Sequence, residues 1–132
     1  MSTPCGISIE VGGKYRTIYC HWDGYPKYML PMLQENYNTY DLAAKLISLG
    51  DASSIGAKLE PSPGSAHSFD SPEKGVCVFY HRDRGQDWIE TYPVDYSARR
   101  DVTDQFYHAY IFENNCWNYY CSALPKPAVP KI

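Results

Sequence analysis

Acid–base or metal chemistry needs an imidazole with a carboxylate in reach, and this chain sets such a pair two residues apart twice: His21 with Asp23, and His81 with Asp83. His67 and Asp70 form a third, looser pair. A histidine oriented by a carboxylate is the minimum for general acid–base catalysis or metal ligation. If the ends of the strands gather at one edge, these six side chains meet and would serve a small metal-dependent or acid–base hydrolase. Nothing in the spacing requires that meeting, and solvated histidines at strand ends are the simpler reading of both close pairs. No nucleophile, base and orienting acid can be assigned as a set, so the catalytic residues stay unassigned and an enzyme is the lesser expectation. His81-Arg82-Asp83 lacks every other kinase signature, and there is no glycine-rich phosphate loop.

The second chemistry on offer is recognition. Tyr19-Cys20-His21-Trp22-Asp23-Gly24-Tyr25-Pro26 packs three aromatic rings, an imidazole, a thiol and a carboxylate into one short stretch. Such density where a strand ends marks a packed corner or a recognition site. Arg82 and Arg84 flank Asp83, and Arg99-Arg100 form another basic pair. Tyr15, Tyr19, Trp22, Tyr25 and Trp88 add rings for stacking, while the arginines add forks for phosphate or carboxylate. The expected set for a ligand or partner is Tyr15, Tyr19, His21, Asp23, Tyr25, His81, Arg82, Asp83 and Arg84. The plain alternatives are a solvated turn for the two arginines and a core position for Trp22.

Composition narrows the classes. The 132 residues suit one domain over 1–123 followed by a Pro-rich tail over 124–132. A net charge of −3 argues against general nucleic-acid binding, which needs a basic face. No apolar run approaches the roughly 18 residues of a membrane span. The start lacks the marks of a signal peptide, which predicts a cytoplasmic protein. Five cysteines at irregular spacing fit neither a disulfide framework nor a closed zinc site and read as reduced, mostly buried thiols. No metal and no cofactor is expected. Thirteen tyrosines fit an apolar surface that can still hydrogen-bond, or simply a β-rich fold.

The elements that would position these residues read as α+β. Ile7–Val11 alternates apolar and polar, Gly12-Gly13 is a two-residue turn, and Lys14–Trp22 returns. Pairing Val11 with Lys14 puts Ile7, Ile9, Val11, Ile18, Cys20 and Trp22 on the core face. Glu10, Tyr15, Thr17, Tyr19 and His21 then stand on a face the core does not claim. Pro31 predicts a short helix near Leu30–Tyr37. Asn38 should cap a second helix whose apolar face is Leu42, Ala43, Leu46, Ile47 and Leu49, ended by Gly50. Residues 51–56 read as a short turn and 59–74 as a long loop, functional or mobile. Gly75–His81 predicts a third, central strand, 81–87 a charged turn and Trp88–Tyr92 a fourth strand. Residues 93–105 are loop or short helix. Phe106–Phe112 and Cys116–Cys121 form a last hairpin. The result is an antiparallel sheet of about six strands with a helical pair on one face, whose edges self-association to a homo-oligomer would protect.

Three motifs carry a resemblance: Tyr19–Pro26, Leu49-Gly50-Asp51-Ala52-Ser53-Ser54-Ile55-Gly56, and Tyr80-His81-Arg82-Asp83-Arg84-Gly85. In this order, over about Gly6 to Tyr120, they resemble a family of small uncharacterised proteins carried by bacteriophages, prophages and integrative elements. The family has no assigned catalytic residues to carry over. The Pro-rich tail and the cysteines of the last hairpin depart from its pattern. The resemblance implies a phage accessory protein in the bacterial cytoplasm that blocks host defence, inhibitors of CRISPR immunity being one kind. Its partner would be a host defence protein or that protein's nucleotide signal.

Overall fold

The computed structural model describes residues 2–122, so the predicted Pro-rich tail lies outside the described residues. β1 (Cys5–Val11) and β2 (Lys14–Cys20) form the expected hairpin, with Val11 opposite Lys14 and Cys5 opposite Cys20. The predicted faces follow from that register. Ile7, Ile9, Ile18 and Cys20 are buried in the main core. Near the turn, Arg16 reaches solvent and forks onto Asp95. Trp22 departs from its predicted core position and is 42% exposed. Pairing with β1 stops at Cys20, and Asp23 takes a left-handed conformation (φ 57°) that turns the chain away.

Two helices cover the core face. α1 (Pro26–Asn36) starts four residues earlier than the proline pattern predicts, because Pro26 already occupies its first turn. Pro31 therefore sits inside the helix, where it costs one backbone hydrogen bond. Met29 and Leu33, both fully buried, hold the helix to the core in spite of it. α2 (Tyr40–Ile47) is capped by Thr39, not Asn38, whose hydroxyl accepts from the Leu42 amide at 3.1 Å. Ala43, Leu46 and Ile47 form its buried face, while Leu42 points outward. Gly50 is left-handed as expected (φ 86°).

The sheet is mixed, not antiparallel, and has seven strands. After α2 the chain adds β3 (Ala52–Ser54), where a turn was predicted, parallel to the end of β2 at Cys20. β4 (Val78–Phe79) pairs with β3 but is only two residues long. The predicted third strand keeps only these two residues. Residues 75–77 ahead of them are turn and an isolated bridge from Val76 to Lys58, and Tyr80 and His81 join most of the charged turn in α3 (Tyr80–Arg84). The predicted fourth strand is α4 (Trp88–Thr91). Apolar runs this short do not separate strand from helix by periodicity, and the backbone here follows the turns at either end. β5 (Val94–Tyr96) pairs antiparallel with β2 at Tyr15, Arg16 and Thr17. α5 (Arg99–Gln105) then leads to β6 (His108–Glu113), which lies parallel to β1, and β7 (Cys116–Cys121) closes the predicted last hairpin. The two parallel pairings, β2 with β3 and β1 with β6, make the sheet mixed.

α5 also corrects the expectation that helices occupy one face only. Val102 is buried against Ala109 and Ile111 on the opposite face, with Tyr15, Tyr96, Phe106 and Tyr120 around them. The row Tyr15, Tyr19, His21 is thereby divided: Tyr15 lies beneath this second layer, and Tyr19 and His21 lie beyond it. The long loop over 59–74 is fastened at several points. Glu73 accepts from the Ser62 amide, the Ser62 hydroxyl and Lys58. Phe69 donates its amide to the Asp83 carbonyl at 3.1 Å.

Candidate functional site

The motif over 19–26 forms a tightly built corner. Gly24 donates its amide to the Thr3 carbonyl at 2.7 Å, and its own carbonyl accepts the buried Tyr110 hydroxyl at 2.7 Å. A Cβ on Gly24 would stand 2.6 Å from the Thr3 carbonyl oxygen and 2.7 Å from the Cys5 Cβ, so only glycine fits. The Tyr25 carbonyl accepts from the amides of Tyr28 and Met29, which starts α1, and the Tyr25 ring stays exposed beside Tyr28. Corner and displayed aromatics therefore occur together. Asp23 supplies the turn through its backbone.

On the face of the sheet not covered by α1 and α2, the Tyr19 hydroxyl and His21 Nδ1 are 2.6 Å apart. The two rings share that face because they are two residues apart on β2. His21 donates its amide to Ala52 and packs its ring on the edge of Trp22. Burial pushes the Tyr19 phenol upward, so it stays neutral and able to donate at physiological pH. Tyr19 also lines a cleft of about 390 Å³ with Thr3, Gln105, Phe106, Tyr107 and His108. The start of the chain, the end of β2 and the α5–β6 junction meet there. No Lys, Arg, Asp or Glu lines it. Burial lowers the His108 imidazole, whose Nδ1 sits 2.7 Å from the Tyr119 hydroxyl. A neutral cleft of rings, with an amide and hydroxyls at its rim, suits a flat uncharged group.

The charged candidates are arranged differently. Arg82 forks onto Asp83 with Nε and Nη2 at 2.9 and 3.1 Å. Its remaining bonds go to the carbonyls of Leu59 and Cys77, and Glu60 lies 3.8 Å from Nη1. Four of its five N–H groups are committed within the protein, so it has no free fork for phosphate. Burial pushes the Asp83 carboxyl up, but Arg82, the Phe79 amide at 2.8 Å and His67 together hold it below the usual carboxylate range. His67 Nδ1 accepts the Glu73 amide at 2.9 Å, which leaves the proton on Nε2, 3.3 Å from Asp83. With side chains 2% and 5% exposed, His67 and Asp83 form a structural clasp. His81 donates Nδ1–H to the Gln86 carbonyl at 2.8 Å and packs on Trp88. Arg84 lies over the Phe69 ring. Among the described residues no three His, Cys, Asp or Glu side chains converge to hold a metal ion. The predicted six-residue cluster reduces to one joined pair, His67 with Asp83.

Sequence reasoning missed Asp51, which takes its place through the backbone of β2. Its Oδ1 accepts the Tyr19 amide at 2.9 Å, and burial pushes its carboxyl up to about 6, opposed only by that bond. The signal lay in the motif after Gly50, where a polar residue follows the end of a helix. Gln105, Phe106, Tyr107 and His108 carried no signal, since the cleft they line is closed by residues about a hundred positions earlier. A second aromatic surface surrounds a groove of about 300 Å³ lined by Arg16, Tyr40, Trp88 and Pro93. Ile89 and Tyr92 stand exposed next to Trp88 and Pro93 in sequence. Cys5, Cys20 and Cys77 are buried free thiols, as expected, while Cys116 and Cys121 are exposed.

Compared with protein-family models, curated proteins and solved structures, the chain finds no match in any of the three. Among the described residues no helix is long and apolar enough to cross a membrane.

Proposed function

We propose that the chain is a phage- or mobile-element-encoded counter-defence protein that binds and inhibits a host immune protein. The observation that carries the binding reading is the neutral aromatic cleft at Tyr19, Phe106 and Tyr107, set on a corner fixed by Gly24. A planar side chain of the partner would enter it, with the Gln105 amide and the Tyr19–His21 pair giving direction. Aromatic anchors in preformed pockets account for much of the energy at protein interfaces. The counter-defence setting rests on the resemblance of the motifs over 19–26, 49–56 and 80–85. Sequestering a nucleotide signal is the weaker version, because the cleft offers no cation to a phosphate and Arg82 is committed elsewhere. The hydrolase alternative keeps only the Tyr19–His21 contact in its favour.

Native mass spectrometry of the protein purified from phage-challenged host lysate tests these versions. A host protein retained by the wild type and lost by Tyr107→Ala supports the proposal. A retained phosphorylated small molecule would favour the nucleotide version. A bare chain with one stoichiometric metal would favour the hydrolase.

A further inference from the structure

β7 ends the sheet order on one side, and at the other end β4 is only two residues long. The six residues of β7, Cys116-Trp117-Asn118-Tyr119-Tyr120-Cys121, include no charge, proline or glycine. Natural edge strands usually carry one of those devices against pairing with another chain. The β6–β7 turn fixes which backbone groups face outward. Asn114 and Asn115 are both left-handed (φ 56° and 63°), giving a two-residue turn that closes on the hydrogen-bonded pair Glu113–Cys116. At the far end Ser122 donates its amide to the Tyr107 carbonyl at 2.9 Å, which places it in the same class. Cys116, Asn118, Tyr120 and Ser122 therefore turn their backbone groups toward β6. Trp117, Tyr119 and Cys121 turn theirs outward, and among the described residues no strand pairs with them.

We propose that this edge pairs antiparallel with β7 of a second copy, about a two-fold axis through Tyr119. An antiparallel pair related by symmetry needs its axis perpendicular to the sheet, so opposed residue numbers sum to an even value. With Tyr119 opposite itself, Trp117 opposes Cys121 of the second copy and Cys121 opposes Trp117. All three outward residues then lie in hydrogen-bonded pairs, and their three N–H and three C=O groups make six bonds across the interface. The neighbouring symmetric registers pair only two of the three residues with each other and make four. The same register sets Cys116 opposite Ser122 of the second copy in a non-hydrogen-bonded pair, where side chains are closest.

The experiment is the solution mass of the full chain across a concentration series, with two variants. The wild type should reach twice 15.1 kDa. Cys121→Pro should stay at the monomer mass with unchanged circular dichroism, because that amide faces away from β6. Ser122→Cys in a Cys121→Ser background, oxidised with diamide, should give a covalent dimer. Each bridge joins Cys116 to position 122 of the other copy and passes two electrons and two protons to the diamide. Three results would overturn the proposal. One is a monomer at every concentration, whether or not the Trp117, Tyr119 and Cys121 amides resist hydrogen exchange. Another is a dimer that Cys121→Pro leaves intact, and the third is a wild-type dimer whose double variant does not cross-link.

Discussion

Asp51 Oδ1 accepts the backbone N–H of Tyr19 at 2.9 Å, at the gap where two short strands share one edge of β2. β5 takes that edge at Tyr15, Arg16 and Thr17, and β3 takes it at Cys20. The Tyr19 amide falls between them and would have no strand partner. A side-chain carboxylate replaces the missing strand there, and it ties the site-bearing end of β2 to the turn after α2.

That arrangement has a pH signature. The Asp51 carboxyl is raised to about 6 by burial, against an ordinary value of 3.8. The folded state therefore holds the proton more tightly than the unfolded state. The stabilisation from this group is full below about pH 4 and is lost as pH rises through 6. Asn at this position keeps an acceptor and carries no charge. Asp51→Asn should be more stable than the wild type at pH 7.5 by about 1 kcal/mol, a figure reduced for the water that still reaches the group. The difference should shrink as pH falls and vanish near pH 3, below the unfolded value of 3.8, in urea unfolding. Asp51→Ala leaves the Tyr19 amide unpaired and should lose about 1–2 kcal/mol near pH 3, and about 1 kcal/mol less at pH 7.5, where it also removes the buried charge.

Arg82 is the joint between the long loop and α3. Arg82→Met removes four hydrogen bonds and leaves Asp83 without its cation at 5% side-chain exposure. A loss of about 3 kcal/mol is expected from breaking one side of a buried pair. Hydrogen exchange should show the loop over 59–74 opening first, since Asp83, Leu59 and Cys77 are all held by the same guanidinium. A phosphate-binding Arg82 would instead be dispensable for stability.

Gly24→Ala tests the corner. Its Cβ would meet backbone at 2.6 Å from Thr3 and a core side chain at 2.7 Å. A cost of about 2–3 kcal/mol is expected from forced overpacking, read by denaturant unfolding. Tyr107 stands 52% exposed on the cleft. Tyr107→Ala should change stability by less than about 0.5 kcal/mol, as surface substitutions do.

These contrasts follow how much of the molecule could be read from residues alone. Local signals served well: the alternation of β1, the Gly12-Gly13 turn, the α2 face of Ala43, Leu46 and Ile47, and the Asn-bearing last turn all lie where the pattern placed them. Non-local pairing did not follow. Nothing near His108 announces that β6 will run parallel to β1, and Gly75–His81 reads as a long strand although Asp83 reaches back to the Phe79 amide and a helix starts at Tyr80. The same limit governed the site. The Tyr19–His21 contact is two residues long and was legible as a shared face. The cleft joins Thr3 to Tyr107, and no spacing encodes that.

The central claim, that the chain binds and inhibits a host defence protein through this cleft, is tested most directly by infection. The full chain is expressed in bacterial strains that each carry one defence system, and the plating efficiency of a phage sensitive to that system is measured. The account predicts restored plaque formation on at least one strain, lost on Tyr107→Ala although that variant is folded and equally abundant. Restoration that survives Tyr107→Ala together with Tyr19→Ala, or no restoration on any strain by the folded wild type, would contradict it.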